Sequence, residues 1–415
     1  MSLTIDQLQG ETLGLCASGG LDSQTLAHKL NQLGIKTISF TADLAQPDAA
    51  DINEIQKLMA GCGGEAIVID LKDEMADACF EVLKAQATYD GGYWNTTGIA
   101  RAVTVRGLVR EMQKHGCTVL AHGATGRGND QVRFERYTLE LAPEMKVYAP
   151  WRDPALLEEF PGRTQMKEYL ASFGATGFED GGKKKRYSTD ANLAGLSHEA
   201  EDLESLETPA TIVEPTMGVW PHDAPDAVEE VTVMVESGCV TAINGNTVTP
   251  LQAMQLANDI AGRNGIGIRN ALENRILGTK SRGVYEAPGM ELLGFCILQI
   301  YQAVHDHGAA ALFRDMSHLI ADQIYQGRYF EPATQAARAA VDVLAAHAAG
   351  KITLGLYRGN MYFHKLSDCP ASLYNEADSS MEASDGMSPI SAGGYIEVQN
   401  IQAAALAKAR QITSD

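Results

Sequence analysis

A short loop near the start of the chain has the composition of a site that binds phosphate. The segment 18–23, SGGLDS, lies between a predicted strand and a predicted helix. Its consecutive glycines allow the backbone to approach a ligand closely, and successive amides together with the N-terminus of the following helix attract an anion. The hydroxyl groups of Ser18 and Ser23 offer two further hydrogen-bond donors. A simple turn between strand and helix, capped by Asp22, is the alternative interpretation.

A second polar loop, 123–135, has the sequence GATGRGNDQVRFE and follows the predicted strand 118–121. Glycines beside Thr, Asn, Asp and Arg are typical of a binding loop. Ligands of parallel α/β sheets bind beyond the carboxyl ends of the strands. Because both loops directly follow predicted strands, both are candidate parts of a binding site.

The first loop resembles that of a known superfamily. It matches neither G-x-x-x-x-G-K-[ST] nor G-x-G-x-x-G, which argues against a Walker or a Rossmann site. It resembles the SGG-x-D-[ST] pyrophosphate loop of the N-type ATP pyrophosphatases, which include GMP synthetase, asparagine synthetase and tRNA thiolases. The resemblance implies an enzyme that cleaves ATP to AMP and pyrophosphate and activates a substrate oxygen as an adenylate.

Further blocks resemble the argininosuccinate synthase family within this superfamily. The loop 123–135 is similar to that family's G-x-T-G-K-G-N-D-Q-V-R-F-E string, and the other blocks are APWR at 149–152, YSTDANL at 187–193 and ENRILGTKSRGVYE at 273–286. They occur in the family's order and span nearly the whole chain. The resemblance implies an ATP-dependent C–N ligase, with ATP and Mg²⁺ as cofactors. Such a ligase joins citrulline to aspartate through a citrullyl-adenylate and releases argininosuccinate, AMP and pyrophosphate.

The resemblance also implies roles for individual residues. The implied catalytic residues are Ser18, Asp22, Asn129 and Arg133. ATP is expected to contact Ala17, Ser18, Gly19, Gly20, Leu21, Asp22, Ser23, Gln24, Ala42 and Gly123. Aspartate is expected at Thr125, Asn129 and Asp130, with Asp130 accepting a hydrogen bond from the aspartate amine. The acceptor is expected at Tyr93, Gly98, Asn129, Arg133, Ser188, Ser197, Glu273 and Tyr285. No metal ligand is assigned, although Asp22 is a candidate for the Mg²⁺ that accompanies ATP.

Several positions depart from the family pattern. The first loop reads Asp22-Ser23-Gln24 where the family has Asp-Thr-Ser, and three further positions bear on the acceptor. Gly98 stands where the family has a substrate-contacting Ser, Ile268 where it has an Arg, and Asn270 where it has an Asp. Two interpretations therefore stand. In the first, the chain is an argininosuccinate synthase whose peripheral residues have diverged. In the second, it is a paralogue that adenylates a different ureido, amide or carboxylate acceptor and joins it to aspartate or another amine. A tRNA thiolase is disfavoured because the chain is acidic and lacks paired cysteines.

The candidate residues need a framework, and the first 150 residues predict alternating strands and helices. Strands are predicted at 12–16, 37–40, 66–70, 118–121 and 147–149, and helices at 21–33, 52–60, 75–87 and 100–115. This alternation indicates an α/β fold with a parallel sheet and helices on its faces.

The rest of the chain has the mixed pattern of an α+β domain. Helices are predicted at 153–170, 250–263, 292–305, 316–326, 334–349 and 401–412. A strand is predicted at 231–236, and two hairpins are predicted around Asn244-Gly245 and Gly359-Asn360, since Asn-Gly is a favoured hairpin turn.

These patterns, together with the resemblance, predict three parts. A parallel-sheet ATP pyrophosphatase domain of the adenine nucleotide alpha hydrolase-like type spans 1–170, and an α+β synthetase and multimerisation domain spans 171–385. An oligomerisation arm and helix span 386–415. The resemblance implies a homotetramer that exchanges C-terminal helices between subunits, a use that fits segment 398–415. The basic run 183–186, KKKR, is either a solvated loop or a mobile segment that approaches phosphates or substrate carboxylates.

Composition limits the classes of partner. The 415 residues include 33 Lys and Arg against 53 Asp and Glu, a formal net charge of −20. Nucleic-acid and anionic-membrane binding depend on clustered basic residues, so only small-molecule substrates are expected. We see no apolar run of membrane-spanning length and no secretory signal. The seven scattered cysteines fit thiols in a reducing cytoplasm, so a cytoplasmic location is expected.

Overall fold

The computed structural model describes residues 3–48, 51–126, 128–174, 186–382 and 388–410, so Arg127 and the basic residues 183–185 lie outside the described residues. The strands are β1 (Thr12–Cys16), β2 (Lys36–Asp43), β3 (Glu65–Asp70), β4 (Val119–His122), β5 (Lys146–Tyr148), β6 (Ser188–Asn192), β7 (Gly195–Glu199), β8 (Glu229–Glu236), β9 (Cys239–Ile243), β10 (Asn246–Thr247), β11 (Ile268–Asn274), β12 (Lys280–Glu286), β13 (Gly350–Tyr357) and β14 (Asn360–Ser367). The helices are α1 (Leu21–Gln32), α2 (Ile52–Gly61), α3 (Lys72–Ala85), α4 (Thr96–Lys114), α5 (Asp130–Leu141), α6 (Pro154–Glu159), α7 (Arg163–Ala171), α8 (Pro250–Arg263), α9 (Pro288–Val304), α10 (His307–Tyr325), α11 (Pro332–Ala345), α12 (Glu376–Ser379) and α13 (Pro389–Arg410).

Five strands near the N-terminus form a parallel sheet in the order β3-β2-β1-β4-β5. Side chains of β1 alternate between its two faces. Leu13 and Leu15 are buried in one cluster with Leu26 of α1. On the other face, a Cβ placed on Gly14 would lie 2.5 Å from Met112 Sδ of α4. Helices therefore cover both faces, which confirms the predicted α/β fold and places the carboxyl ends of β1 and β4 side by side.

An antiparallel sheet in the order β10-β9-β8-β13-β14 contains both predicted hairpins. The turn between β9 and β10 is Asn244-Gly245, with φ of 50° and 81°. The turn between β13 and β14 is Arg358-Gly359, with φ of 45° and 81°, one residue earlier than predicted. Positive φ at both turn residues is what a tight two-residue hairpin requires.

A second antiparallel sheet, in the order β11-β12-β7-β6, is not predicted by the sequence pattern. We call it the site sheet. Its strands β6 (STDAN) and β11 (IRNALEN) lack an alternation of apolar and polar residues because polar side chains lie on both faces. Without that period-two signal, hydrophobic patterning does not indicate a strand.

The single helix predicted at 153–170 is wrong, because this segment forms two helices, α6 and α7. Pro161 follows Phe160, and the residue before a proline disfavours helical backbone. Phe160 has φ of −122° and ψ of 71°, outside the helical region. The predicted start and end of α8 are confirmed, and Thr249 and Gln252 cap each other's backbone amides at its N-terminus.

A bundle of helices joins the parallel sheet to the hairpin-containing sheet. The buried residues of this core come from α3, α4, α8, α9, β8 and β13, and they include Val82, Val105, Met254, Ile297, Val233 and Leu354. Burial of such apolar side chains is the main favourable contribution to folding. The helix α4 is central because its N-terminus also approaches the site sheet, where Asn192 of β6 donates to the Thr96 carbonyl oxygen at 3.2 Å.

The chain forms two compact units, Met1–Pro370 and Ala371–Asp415. The second contains α12 and α13, and none of the described residues of α13 is buried. The division into 1–170, 171–385 and 386–415, and the oligomerisation role of the last segment, stay predictions. Over the part of the chain that the structure describes, no helix combines the length and the apolar character that crossing a bilayer demands.

A close backbone contact behind the site sheet gives a stability prediction. A Cβ placed on Gly262 of α8 would lie 2.0 Å from the carbonyl oxygen of Met217. Gly262→Ala should lower the free energy of unfolding by about 1–3 kcal/mol, as overpacking does, despite the better helix propensity of Ala. Gly61→Ala is the matched control, since a Cβ on this helical glycine meets no atom within 4 Å. It should be neutral or stabilising by up to about 1 kcal/mol. Urea unfolding of both variants checks this, and equal effects would contradict it.

Candidate active site

The loop between β1 and α1 is shaped as an open cradle of backbone amides. Gly19 has φ of 77°, and a Cβ there would lie 3.0 Å from Ile55 Cγ2, so a side chain would be both strained and crowded. Gln24 donates to the Gly19 carbonyl oxygen at 2.8 Å, and Ser23 Oγ donates to that of Gly20 at 3.0 Å. No side chain caps the N-terminus of α1. The first backbone amides of α1 therefore remain available to an anion.

The residues predicted to contact ATP do not all present side chains at this cradle. Ser18 and Gly20 are exposed, whereas Leu21, Ser23 and Gln24 are buried beneath the loop. Their contribution is therefore to shape the backbone. Of the remaining predicted residues, Ala17 is buried, Ala42 is half-buried near the end of β2, and Ala42 accepts from the Gln46 side chain at 3.0 Å.

The second loop begins beside the first. A Cβ placed on Gly123 would lie 3.9 Å from Asp22 Cβ and 4.0 Å from Trp151 Nε1. Burial raises the pKa of Asp22, and the positive charge of Arg163 opposes that shift. The Trp151 Nε1 atom is buried and has no hydrogen-bond partner among the described residues. Since buried donors normally have partners, this N–H is a candidate contact for a ligand at Gly123.

One face of the site sheet carries most of the residues predicted for the acceptor. Tyr285 pairs with Ser197, and Ser197 pairs with Asp190, so these residues share one face. The same register and alternation place further residues on that face, which we call the polar face, and its polar members are Ser188, Asp190, Asn192, Ser197, Glu199, Arg269, Glu273, Ser281 and Tyr285. A Cβ on Gly283 would lie 2.7 Å from the Tyr285 ring. Glycine at this position therefore lets the ring lie across the sheet.

Tyrosines surround the carboxylate of Glu273. Tyr285 donates its hydroxyl proton to Glu273 Oε1, and the Tyr93 ring lies 4.2 Å from the Tyr285 ring, centroid to centroid. Glu273 is 4% exposed. Burial raises its pKa, and hydrogen bonds from Tyr285 and Tyr325 oppose the rise. Burial also raises the pKa of Tyr93 to about 12, so its hydroxyl stays neutral near pH 7.

An ion-pair network joins the second loop to the site sheet. Arg101 of α4 donates to Asp130 at 2.9 Å and to Asp190 of β6 at 2.7 Å. Arg133 donates to the other Asp130 oxygen at 3.0 Å. Burial disfavours the charged form of Asp130, but Arg101 and Arg133 hold its pKa below the usual range. Asp130 therefore carries a negative charge at the junction.

Arg133 is almost fully buried, and its guanidinium binds the end of α10. Its Nε and Nη2 atoms donate to the Tyr325 carbonyl oxygen at 3.0 and 2.7 Å. Helix carbonyls in the last turn lack helical partners, so these bonds fix the C-terminus of α10 beside the site. A guanidinium has more N–H donors than these bonds and the Asp130 contact use, so Arg133 keeps donors for a ligand.

The three departures that bear on the acceptor lie off the polar face. Ile268 and Asn270 alternate with Ala271 and Glu273 along β11, so they lie on the opposite face of the site sheet. There Ile268 packs in an apolar cluster, and Asn270 accepts from Arg282 Nε at 2.7 Å. A Cβ on Gly98 would lie 3.2 Å from the carbonyl oxygen of Ile324 in α10. That position therefore faces α10.

The structure brings together most residues predicted for the acceptor and for aspartate. Hydrogen bonds, ring contacts or a shared position on the polar face join Tyr93, Asn129, Asp130, Arg133, Ser197, Glu273 and Tyr285. Ser188 lies at the edge of this face, and Thr125 is exposed in the second loop. Their assigned roles stay predictions. Sequence reasoning missed Arg101, Trp151, Asp190, Glu199 and Tyr325. Trp151 and Asp190 lie within blocks that resemble the family, which is the signal that could have found them.

Two family models match the chain. The model described as arginosuccinate synthase N-terminal HUP domain matches residues 12–174. The model described as arginosuccinate synthase C-terminal domain matches residues 187–406, more than half of the chain. The first match contains both loops and the ion pair between Arg101 and Asp130, and the second contains the whole site sheet.

Glu199 gives a prediction for pH dependence. Burial and the nearby carboxylates Asp130, Glu273 and Asp190 raise its pKa to about 7. Between its ordinary pKa, about 4.3, and this value, the folded chain keeps a proton that the unfolded chain has released. This group therefore makes stability fall as pH rises. Glu199→Gln should raise the unfolding temperature relative to wild type more at pH 8 than at pH 5, as measured by calorimetry. An equal change in unfolding temperature at both pH values would contradict this prediction.

Proposed function

The chain belongs to the argininosuccinate synthase family, and on that premise we propose that its acceptor is citrulline and its amine donor is aspartate. As a member of this family it is an ATP-dependent ligase that forms a C–N bond and releases AMP and pyrophosphate. One observation carries the proposal for the acceptor. The three departures that bear on the acceptor, Gly98, Ile268 and Asn270, place no side chain on the polar face that holds Glu273 and Tyr285.

The first step is adenylation of the acceptor. The ureido oxygen attacks the α-phosphorus of ATP, and pyrophosphate leaves. We assign the amides of Gly19 and Gly20 and the N-terminus of α1 to the pyrophosphate, since preorganised amides stabilise charge as it develops. Gly123 and Trp151 would contact the nucleotide beside this cradle, and Ser18, exposed at its rim, would add a hydroxyl donor.

The residues present fit a Mg²⁺ ion that arrives with ATP. Within the described ranges, no group of three or more His, Cys, Asp or Glu side chains converges into a metal site. Mg²⁺ is commonly held by one or two carboxylates together with substrate phosphates, so the single carboxylate of Asp22 beside the cradle is sufficient. The ion would neutralise phosphate charge, and Asp22 would hold it against the loop.

The second step is displacement of AMP by the amine of aspartate. The ionised Asp130, held between Arg101 and Arg133, would accept a hydrogen bond from that amine, and Asn129 and Thr125 lie in the same loop. Glu273 and the remaining donors of Arg133 offer opposite charges to the ammonium and carboxylate ends of the acceptor. Ser188 and Ser197 supply hydroxyl groups. These assignments require positioning and charge stabilisation without a covalent enzyme intermediate.

We also propose a homotetramer, a cytoplasmic location and a place in arginine biosynthesis. Support for assembly comes from α13, which exposes Ile390, Tyr395, Ile396, Val398 and Ile401, since large exposed apolar surfaces mark interaction sites. Support for a reducing compartment comes from the described cysteines, none of which forms a disulfide.

The substrate requirement tests the proposal directly. Pyrophosphate release should need ATP and citrulline, and argininosuccinate should form only when aspartate is also present. Continuous pyrophosphate detection and chromatography of the products measure both steps. A panel of other ureido, amide and carboxylate acceptors serves as comparison. Release with one of these and none with citrulline would refute citrulline as the acceptor and leave the ligase chemistry standing.

Asp22 gives a sharper test of the nucleotide site. Asp22→Asn keeps the side-chain volume but removes the charge, so kcat for pyrophosphate release should fall by roughly a hundredfold to a thousandfold, as for loss of one charge-stabilising group. Asp77→Asn, on the exposed side of α3, is the matched control and should keep wild-type kinetics. Full activity of Asp22→Asn would remove Asp22 from the proposed phosphate and metal site.

A further inference from the structure

Tyr325 lies at one end of a hydrogen-bond chain that passes through Asn129. The Ile276 amide donates to Asn129 Oδ1 at 3.0 Å. Asn129 Nδ2 in turn donates to Tyr325 Oη at 3.0 Å. Tyr325 lies outside the sequence blocks that resemble the family.

Each bond of this chain has a defined direction. A backbone amide can only donate, so Asn129 must present its Oδ1 atom to Ile276 and its NH₂ group to Tyr325. The Tyr325 oxygen therefore accepts from Asn129. The hydroxyl thus fixes the side-chain orientation of Asn129.

The surroundings hold this hydroxyl in place. Tyr325 is the last residue of α10 and is 1% exposed. Its ring stacks on Tyr89 with centroids 3.7 Å apart, and the Arg133 guanidinium lies 5.0 Å from its ring centroid. Its carbonyl oxygen accepts two hydrogen bonds from Arg133. Gly98 permits the approach of α10, since a side chain there would meet Ile324.

We propose that Tyr325 is a positioning residue of the ligase, which holds the Asn129 side chain in the orientation that the amine donor and the acceptor substrate require. This inference rests on the proposed function. Loss of the hydroxyl leaves the Asn129 NH₂ group without this hydrogen-bond partner. The acceptor substrate should therefore bind less tightly and the condensation with aspartate should slow. Among the described residues, no hydrogen bond joins the cradle between β1 and α1 to Asn129 or Tyr325, so ATP binding should not change.

Tyr325→Phe tests the inference because it keeps the ring, its stacking and the backbone bonds to Arg133. We expect kcat/KM for the acceptor to fall by about tenfold to a hundredfold, the range for leaving one buried polar group without its partner. The KM for ATP should stay within about twofold of wild type, and this split separates positioning from a general loss of folded enzyme. Both are measured with whichever acceptor of the panel supports pyrophosphate release by the wild-type enzyme.

Tyr329→Phe is the matched control. Tyr329 is also buried, lies four residues further along the chain, and donates its hydroxyl proton to Glu81 of α3. Its loss should lower the unfolding temperature and leave the kinetic constants unchanged. Wild-type kinetics of Tyr325→Phe, or an equal kinetic loss in both variants, would overturn the inference. Failure of the proposed function would instead be seen in the wild-type enzyme, as absence of release with citrulline.

A measurement without substrate tests the hydrogen bond itself. Tyr325→Phe, Asn129→Ala and the double variant form a double-mutant cycle in urea unfolding. The effects of contacting residues are not additive, whereas those of independent sites are. Additive effects would show that the two side chains do not interact, and would overturn the inference whichever acceptor the enzyme uses.

Discussion

A network of four charged side chains, of which Arg133 is buried and the other three are half-buried, holds the candidate site together. Arg101 lies between Asp130 at the start of α5 and Asp190 of β6, and Arg133 completes the pairing of Asp130. Buried charges are tolerated only when they are paired, and removal of one partner leaves another uncompensated. The parallel-sheet loops and the site sheet must therefore dock correctly for any of these charges to be stable. Assembly of the fold and assembly of the site are consequently coupled.

The acidic composition of the chain affects how the candidate site can attract anionic ligands. A formal net charge of −20 produces a field that slows the approach of ATP and aspartate. The cradle at Gly19 and Gly20 opposes that field with backbone amides, which add no formal charge. The guanidinium groups of Arg101 and Arg133 are largely neutralised by the two aspartates, so the site is polar and preorganised without a strong net positive charge.

The parts of the fold that could be predicted are those with local signals. The parallel sheet, its helices and both hairpins follow from hydrophobic periodicity and from turn residues such as Asn244-Gly245. The site sheet could not be predicted in this way, because β6 and β11 carry polar residues on both faces. The break between α6 and α7 depends on Pro161. This proline is a local signal, but the helical spacing of apolar residues across 153–170 led to the prediction of a single helix.

The sequence by itself determined the chemistry: an anion-binding loop at 18–23, the blocks of the argininosuccinate synthase family, and most of the residue types that the site needs. Only the tertiary structure decided which side chains face that site. It directs Ile268 and Asn270 to the far face of β11 and Gly98 toward α10, and it brings Tyr325 against Asn129. The physical reason is that the direction of a side chain in a sheet depends on pleat and register. Register is set by strands and helices that are distant in the chain, and no local pattern records it.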